Sequence, residues 1–152
     1  MSVERNLALA AEFAFQAGVE LDTASELLGL QRFHAACFHA QQAAEGMVKA
    51  ALLALDVPFE RLHSLDALTQ LFPGRDGVAF GKLREDALLL DKLYIPTRYV
   101  DALGGIAPAK AFTRREAVGA ISAARKIMQS AQAVLKRQQK GVGAGENSPR
   151  RR

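Results

Sequence analysis

The densest group of side chains able to do chemistry is the run Tyr94-Ile95-Pro96-Thr97-Arg98-Tyr99-Val100-Asp101. It holds both tyrosines of the chain, with an arginine and an aspartate, beside a proline that stiffens the backbone. A guanidinium fork binds phosphate or carboxylate, and a phenol ring stacks on a base or donates a hydrogen bond. Tyr94, Thr97, Arg98, Tyr99 and Asp101 are therefore candidate ligand-binding residues. The competing expectation is that Arg98 pairs with Asp101 or Glu45 and only clamps the loop.

A second polar set is Gln42, Glu45 and Lys49, spaced to share one side of a helix. Glu45 and Lys49 are four apart in the favourable order, worth a few tenths of a kcal/mol on a surface (about 0.2–0.5). The two sets together would line one polar cleft. The three histidines, His34, His39 and His63, and the single Cys37 have no metal-ligand spacing, so no metal and no cofactor is expected. Cys37 falls on an apolar stripe and reads as a small core residue, which leaves no intramolecular disulfide.

These side chains need elements to hold them. From Phe33 to Leu55 apolar residues recur at three and four positions, the spacing of a long helix with an Ala-rich face. Val3 to Leu28 carries a similar stripe, with Gly29 placed as its C-cap. The short link between them requires an antiparallel helical hairpin. Pro58 stops the second helix, and Ser64 is the expected N-cap of a short third one ending at Phe72-Pro73-Gly74. Arg75 to Gly81 reads as a connection, Lys82 to Tyr94 as a helix, and Ile95 to Phe112 as irregular. Thr113 and Glu116 form a capping box for a long last helix with apolar residues from Ala117 to Leu135. The fold class is all-α: an up-and-down antiparallel bundle of four to five helices, with no sheet. One domain over residues 1–139 precedes a tail, 140–152, expected to be disordered.

The net charge of +4 is uneven. Residues 136–152 carry six basic side chains against one acid, a local +5 that leaves −1 for residues 1–135. Nonspecific nucleic-acid affinity is thus expected of the tail rather than the body. No apolar run approaches the roughly 20 residues of a membrane span, and the N-terminus lacks a signal-peptide pattern. A cytoplasmic location is expected.

The segment Phe38-His39-Ala40-Gln41-Gln42-Ala43-Ala44-Glu45-Gly46-Met47-Val48-Lys49-Ala50 resembles the central helix of HEPN domains. His63-Ser64-Leu65 resembles the start of their short helix. Tyr94 to Asp101 resembles their TRYPD segment, with Val100 in place of the proline. The likeness runs from about residue 5 to 137, in the family's order. It implies a helical bundle and a homodimer. Many members are metal-independent ribonucleases, often toxins, that use an Arg-x4–6-His motif. Others lack that motif and act as nucleotide-binding or regulatory modules, often beside a separately encoded minimal nucleotidyltransferase in toxin–antitoxin-like pairs.

Arg98 is followed by Tyr99, Val100, Asp101, Ala102, Leu103 and Gly104, and no histidine lies beyond His63. The acid–base partner of the ribonuclease members is missing at the matching spacing. The reading is therefore a binding or regulatory module for a nucleotide, RNA or a nucleotidyltransferase partner, with no catalytic residue assigned. The alternatives are a ribonuclease with a non-standard catalytic set and a purely structural interaction protein.

Overall fold

The computed structural model describes residues 2–145. Among these residues there are seven helices, one 3-10 turn and no strand. Helix α1 (Val3–Gly29) and α2 (Phe33–Ala54) form the hairpin. The chain reverses through Gln31, which takes a left-handed φ of 60°, while Gly29 stays inside α1. The expected glycine C-cap is thus displaced two residues. The amides of Leu30, Gln31 and Arg32 close the helix end on the carbonyls of Glu26, Leu28 and Leu27.

Cross-hairpin pairs fix the antiparallel sense: Asn6 Nδ2 donates to Asp56 Oδ1 (2.9 Å), and Glu20 pairs with His39. Along α1, Ala10, Ala17 and Ala24, seven residues apart, are sealed against the Ala-rich face of α2. The approach is close enough that a Cβ on Gly46 would lie 3.3 Å from the Ala17 Cβ. Small residues on both helices are the cause of this closeness, and they leave little space to fill with larger side chains.

The third leg of the bundle is broken into α3 (Leu65–Thr69), α4 (Gly74–Gly81) and α5 (Arg84–Asp91). Arg75 to Gly81, expected as a connection, is helical within α4 because Phe80 is buried there and packs on Phe72, with ring centres 4.3 Å apart. The helix expected over Lys82 to Tyr94 is shorter, and turns follow from Lys92 to Arg98. The stretch expected to be irregular includes a 3-10 turn (Val100–Leu103) and a short helix, α6 (Pro108–Ala111). Gly104 closes the 3-10 turn with a φ of 64°, a conformation that needs no Cβ.

Helix α7 (Arg114–Gly145) is the closing leg. Its capping box is made: Thr113 Oγ1 accepts from the Glu116 amide, and Glu116 Oε1 accepts from the Thr113 amide, both at 3.3 Å. Arg114 lies on Phe33, Lys126 pairs with Asp86, and Arg137 with Asp76. Helix α7 therefore starts at the same end as α2 and runs against the broken third leg, giving an up-and-down order. The helix continues through Gly145, past the boundary expected at residue 139; positions 146–152 lie outside the described residues. The core between α2, α5 and α7 includes Cys37, Val48, Leu52, Leu90, Ile127 and Val134. No helix among the described residues is long and apolar enough to cross a membrane.

Candidate functional site

Arg98 lies on the turn that follows α5 and reaches back over the first turns of α2. Its guanidinium carbon is 4.5 Å from the Tyr94 ring centre, 4.9 Å from Phe38 and 5.2 Å from Tyr99. Its Nε donates to the Tyr94 carbonyl at 3.1 Å. The expected ion pair with Asp101 or Glu45 is not formed, and no carboxylate among the described residues lies within salt-bridge distance. The side chain remains exposed. Three aromatic faces and one carbonyl thus orient the cation, while its two terminal nitrogens make no hydrogen bond among the described residues.

Thr97 is the buried member of this loop. Its hydroxyl donates to the Leu93 carbonyl at 2.7 Å, so it pins the turn. Tyr99 and Asp101 are exposed. A cavity of roughly 420 Å³ beside Arg98 is bounded by His34, Phe38, Thr97 and α6. Burial, and secondarily the charge of Arg32, pushes the His34 imidazole below its ordinary range. Its neutral form therefore predominates near pH 7.

Glu45 sits elsewhere and in a different setting. It is almost fully buried, and the expected surface pair with Lys49 is a buried one. Glu45 Oε1 accepts from Lys49 Nζ (2.7 Å) and His63 Nδ1 (2.9 Å), and Oε2 accepts from Gln41 Nε2 (2.9 Å). Gln42 Nε2 donates to Gln41 Oε1 at 2.6 Å. A carboxylate only accepts, so this contact fixes the proton on His63 Nδ1 and leaves Nε2 without a hydrogen-bond partner among the described residues. Desolvation would oppose burying Glu45 alone; three donors offset it.

This network forms one end of a cleft between α1 and α2, roughly 470 Å³ in volume, with Glu12, Phe13 and Glu20 on its α1 wall and Tyr94 beside His63. The structure therefore separates the single cleft expected from sequence into two adjoining sites. Gln42, Glu45, Lys49 and Tyr94 line the interhelical cleft. Thr97 and Arg98 line the other cavity. Tyr94 joins them: the His63 ring stacks on it at 5.6 Å and 12°, and the Arg98 guanidinium packs on it too.

Sequence reasoning missed three participants. Phe38 was visible only as the first residue of the central-helix segment, yet it carries Arg98. His63 gave no local signal of meeting Glu45; Gln41 did, lying four residues away on the same side of the helix at contact spacing, but is absent from the candidate set. Outside the site, Asp91 accepts from Ser64 Oγ and the amides of Leu65 and Asp66 (2.7, 2.6 and 3.1 Å). It thereby fixes the start of α3 and the approach of His63. Among the described residues no cluster of three metal-ligating side chains occurs.

Comparison with solved structures finds two similar chains. The protein TT1696 from Thermus thermophilus is 38% identical over 82% of this chain and 97% of its own, with a TM-score of 0.77. ST0689, an archaeal HEPN homologue, is 29% identical over 83% of this chain and 97% of its own, with a TM-score of 0.66. No curated protein matches the sequence. The HEPN domain profile matches residues 10–134, which takes in most of α1, all of α2, the Arg98 loop and most of α7. With helix order, central-helix motif and profile in agreement, the chain belongs to the HEPN domain family.

Proposed function

We propose that the protein is a binding or regulatory module whose Arg98 receives a phosphate-bearing ligand, a nucleotide or RNA. The observation that carries this reading is the state of Arg98: stacked, hydrogen-bonded through Nε, exposed, and without a carboxylate partner among the described residues. An arginine consumed by an ion pair would instead support a purely structural clamp. Orientation by rings removes part of the entropy that a free arginine would lose on binding. Family membership adds a separately encoded nucleotidyltransferase as a protein partner to be sought by co-purification from the native host.

Strand cleavage is the second reading, and His63 is the observation in its favour. Its Nδ1 is held by a buried carboxylate, which leaves Nε2 able to take a proton. Against it stands the missing histidine after Arg98. Calorimetry with adenosine 5′-monophosphate and a short single-stranded RNA separates the readings. Arg98→Ala is expected to weaken binding by about 1–3 kcal/mol with the helical circular dichroism unchanged. Arg98→Lys should restore only part, because it lacks the planar fork. Clean metal-independent RNA cleavage by the native chain, lost in both His63→Ala and Arg98→Ala, would establish the second reading instead.

A further inference from the structure

Helix α7 is one-sided in charge. From Ala117 to Gly145 it holds no acid and five basic side chains, Arg125, Lys126, Lys136, Arg137 and Lys140. The last three belong to the basic stretch 136–152, and the helix holds them in fixed register. Two of the five are consumed at the seam with the third leg, Lys126 by Asp86 and Arg137 by Asp76. Arg125, Lys136 and Lys140 are exposed, with no carboxylate within salt-bridge distance among the described residues. Arg125 Nη2 donates to Ser25 Oγ at 3.4 Å. Asp22 and Glu26 flank Ser25 on α1, so the positive field is strongest toward Lys136 and Lys140.

Steps of three and four residues place one exposed line along the helix: Ser122, Arg125, Gln129, Gln132, Lys136 and Lys140. Every member is a hydrogen-bond donor, and none carries a negative charge. At 1.5 Å per residue the line is roughly 27 Å long. Among the described residues of α7 the exposed large apolar side chains are Val118 and Val142, both beyond its ends. A protein interface needs buried aromatic or aliphatic anchors, and this ridge offers none. A single strand needs rings on which to stack its bases, and α7 has no aromatic residue. A duplex needs neither, because its phosphates face outward and accept from arginine, lysine, glutamine and serine. The major groove of B-form DNA, about 12 Å wide, admits a helix, whereas that of A-form RNA is too narrow. We infer that the outer face of α7 is a docking surface for the phosphate backbone of a DNA duplex, bound without regard to sequence. The ridge shares no residue with the Arg98 site, and the inference does not rest on the reading of that arginine.

The test is fluorescence anisotropy of a labelled DNA duplex of roughly 20 base pairs with the full chain over a range of salt, since each neutralised phosphate adds about −0.9 to the slope of log affinity against log salt. Lys136→Gln with Lys140→Gln changes two exposed side chains and should reduce the magnitude of that slope by about 1.8. Lys126→Gln with Arg137→Gln removes the same charge from the same helix and should leave the slope as it was, because those cations already face Asp86 and Asp76. Circular dichroism checks that both double variants keep the native helix content. Arg98→Ala should leave duplex binding intact, which separates this surface from the Arg98 site. Equal slope losses in the two double variants overturn the ridge in favour of net charge. A slope lost only when Arg150, Arg151 and Arg152 are replaced by Gln in the full chain places the contact outside α7 and overturns it as well. Tighter binding of the separated single strand overturns the duplex as occupant. Absence of duplex binding at low salt overturns the proposal outright and leaves an acidic protein surface as the partner to seek.

Discussion

Burial separates the roles of Arg98, Glu45 and Cys37, three residues whose types alone suggest chemistry. Arg98 keeps its charge in solvent and is available; Glu45 is enclosed by Lys49, Gln41 and His63 and serves first to hold them. Cys37 is sealed in the core, and burial, with the charge of Glu116 second, pushes its thiol from an ordinary 9.0 up to about 12. The folded chain keeps this proton where the unfolded chain loses it. Its contribution to stability is constant below pH 9.0 and declines as pH rises toward about 12. Denaturation of the native chain and of Cys37→Ala at pH 8 and pH 10.5 should show their stability difference shifting against the native chain. An aromatic disulfide reagent at pH 8 should leave the folded thiol untouched and label it fully in denaturant. An equal labelling rate in both states would place Cys37 at the surface. Its position on the apolar stripe made that burial legible in the sequence. The platform under Arg98 was legible only in part: Tyr94 and Tyr99 are its neighbours in the chain, but Phe38 is sixty residues earlier. Local spacing carries no record of a contact that the bundle makes.

The elements divide in the same way. Helices α1, α2 and α7 each have a long stripe, and α7 a capping box, so local sequence specified them. The third leg is different, because α3, α4 and α5 are short and their limits depend on partners elsewhere. Asp91 at the end of α5 supplies the acceptor for Ser64 and for two amides at the start of α3, a contact over more than twenty residues. Ser64 is the local cap, accepting from the Ala67 amide at 3.2 Å, and was visible; Asp91 was not. Asp91→Ala should lower stability by about 1–2 kcal/mol, in the range of a lost cap, and Asp91→Asn should lose less. The thermal midpoint measures this directly. Because α3 positions His63 against Tyr94, the same variant should also broaden the His63 ring signals by NMR. An unchanged midpoint would mean that Ser64 alone suffices to start α3.

At the scale of the molecule, the loop that presents Arg98 also presents apolar surface. Ile95, Tyr99, Val100 and Ile106 are each about half exposed, at 46%, 50%, 44% and 53%. Single exposed apolar residues are ordinary, but four on one loop beside a cation form a patch of the kind associated with partners. We propose that the homodimer implied by the family resemblance sets its second copy against this loop. In a two-fold contact the same patch faces itself, so each apolar residue meets an apolar residue. The arrangement would bring two Arg98 side chains to one seam, which phosphate from a shared polynucleotide would stabilise by relieving their repulsion. Sedimentation equilibrium at micromolar concentration should therefore give twice the chain mass. Val100→Asp, which sets two carboxylates against each other across the seam, should return the monomer without lowering the content of helix. A native chain that sediments only as monomer would remove the dimer, and Arg98 would then act from a single surface. A dimer indifferent to Val100→Asp would move the seam to another face, and the exposed leucines of α5, Leu88 and Leu89, with Val118 of α7, would be the next surface to mutate.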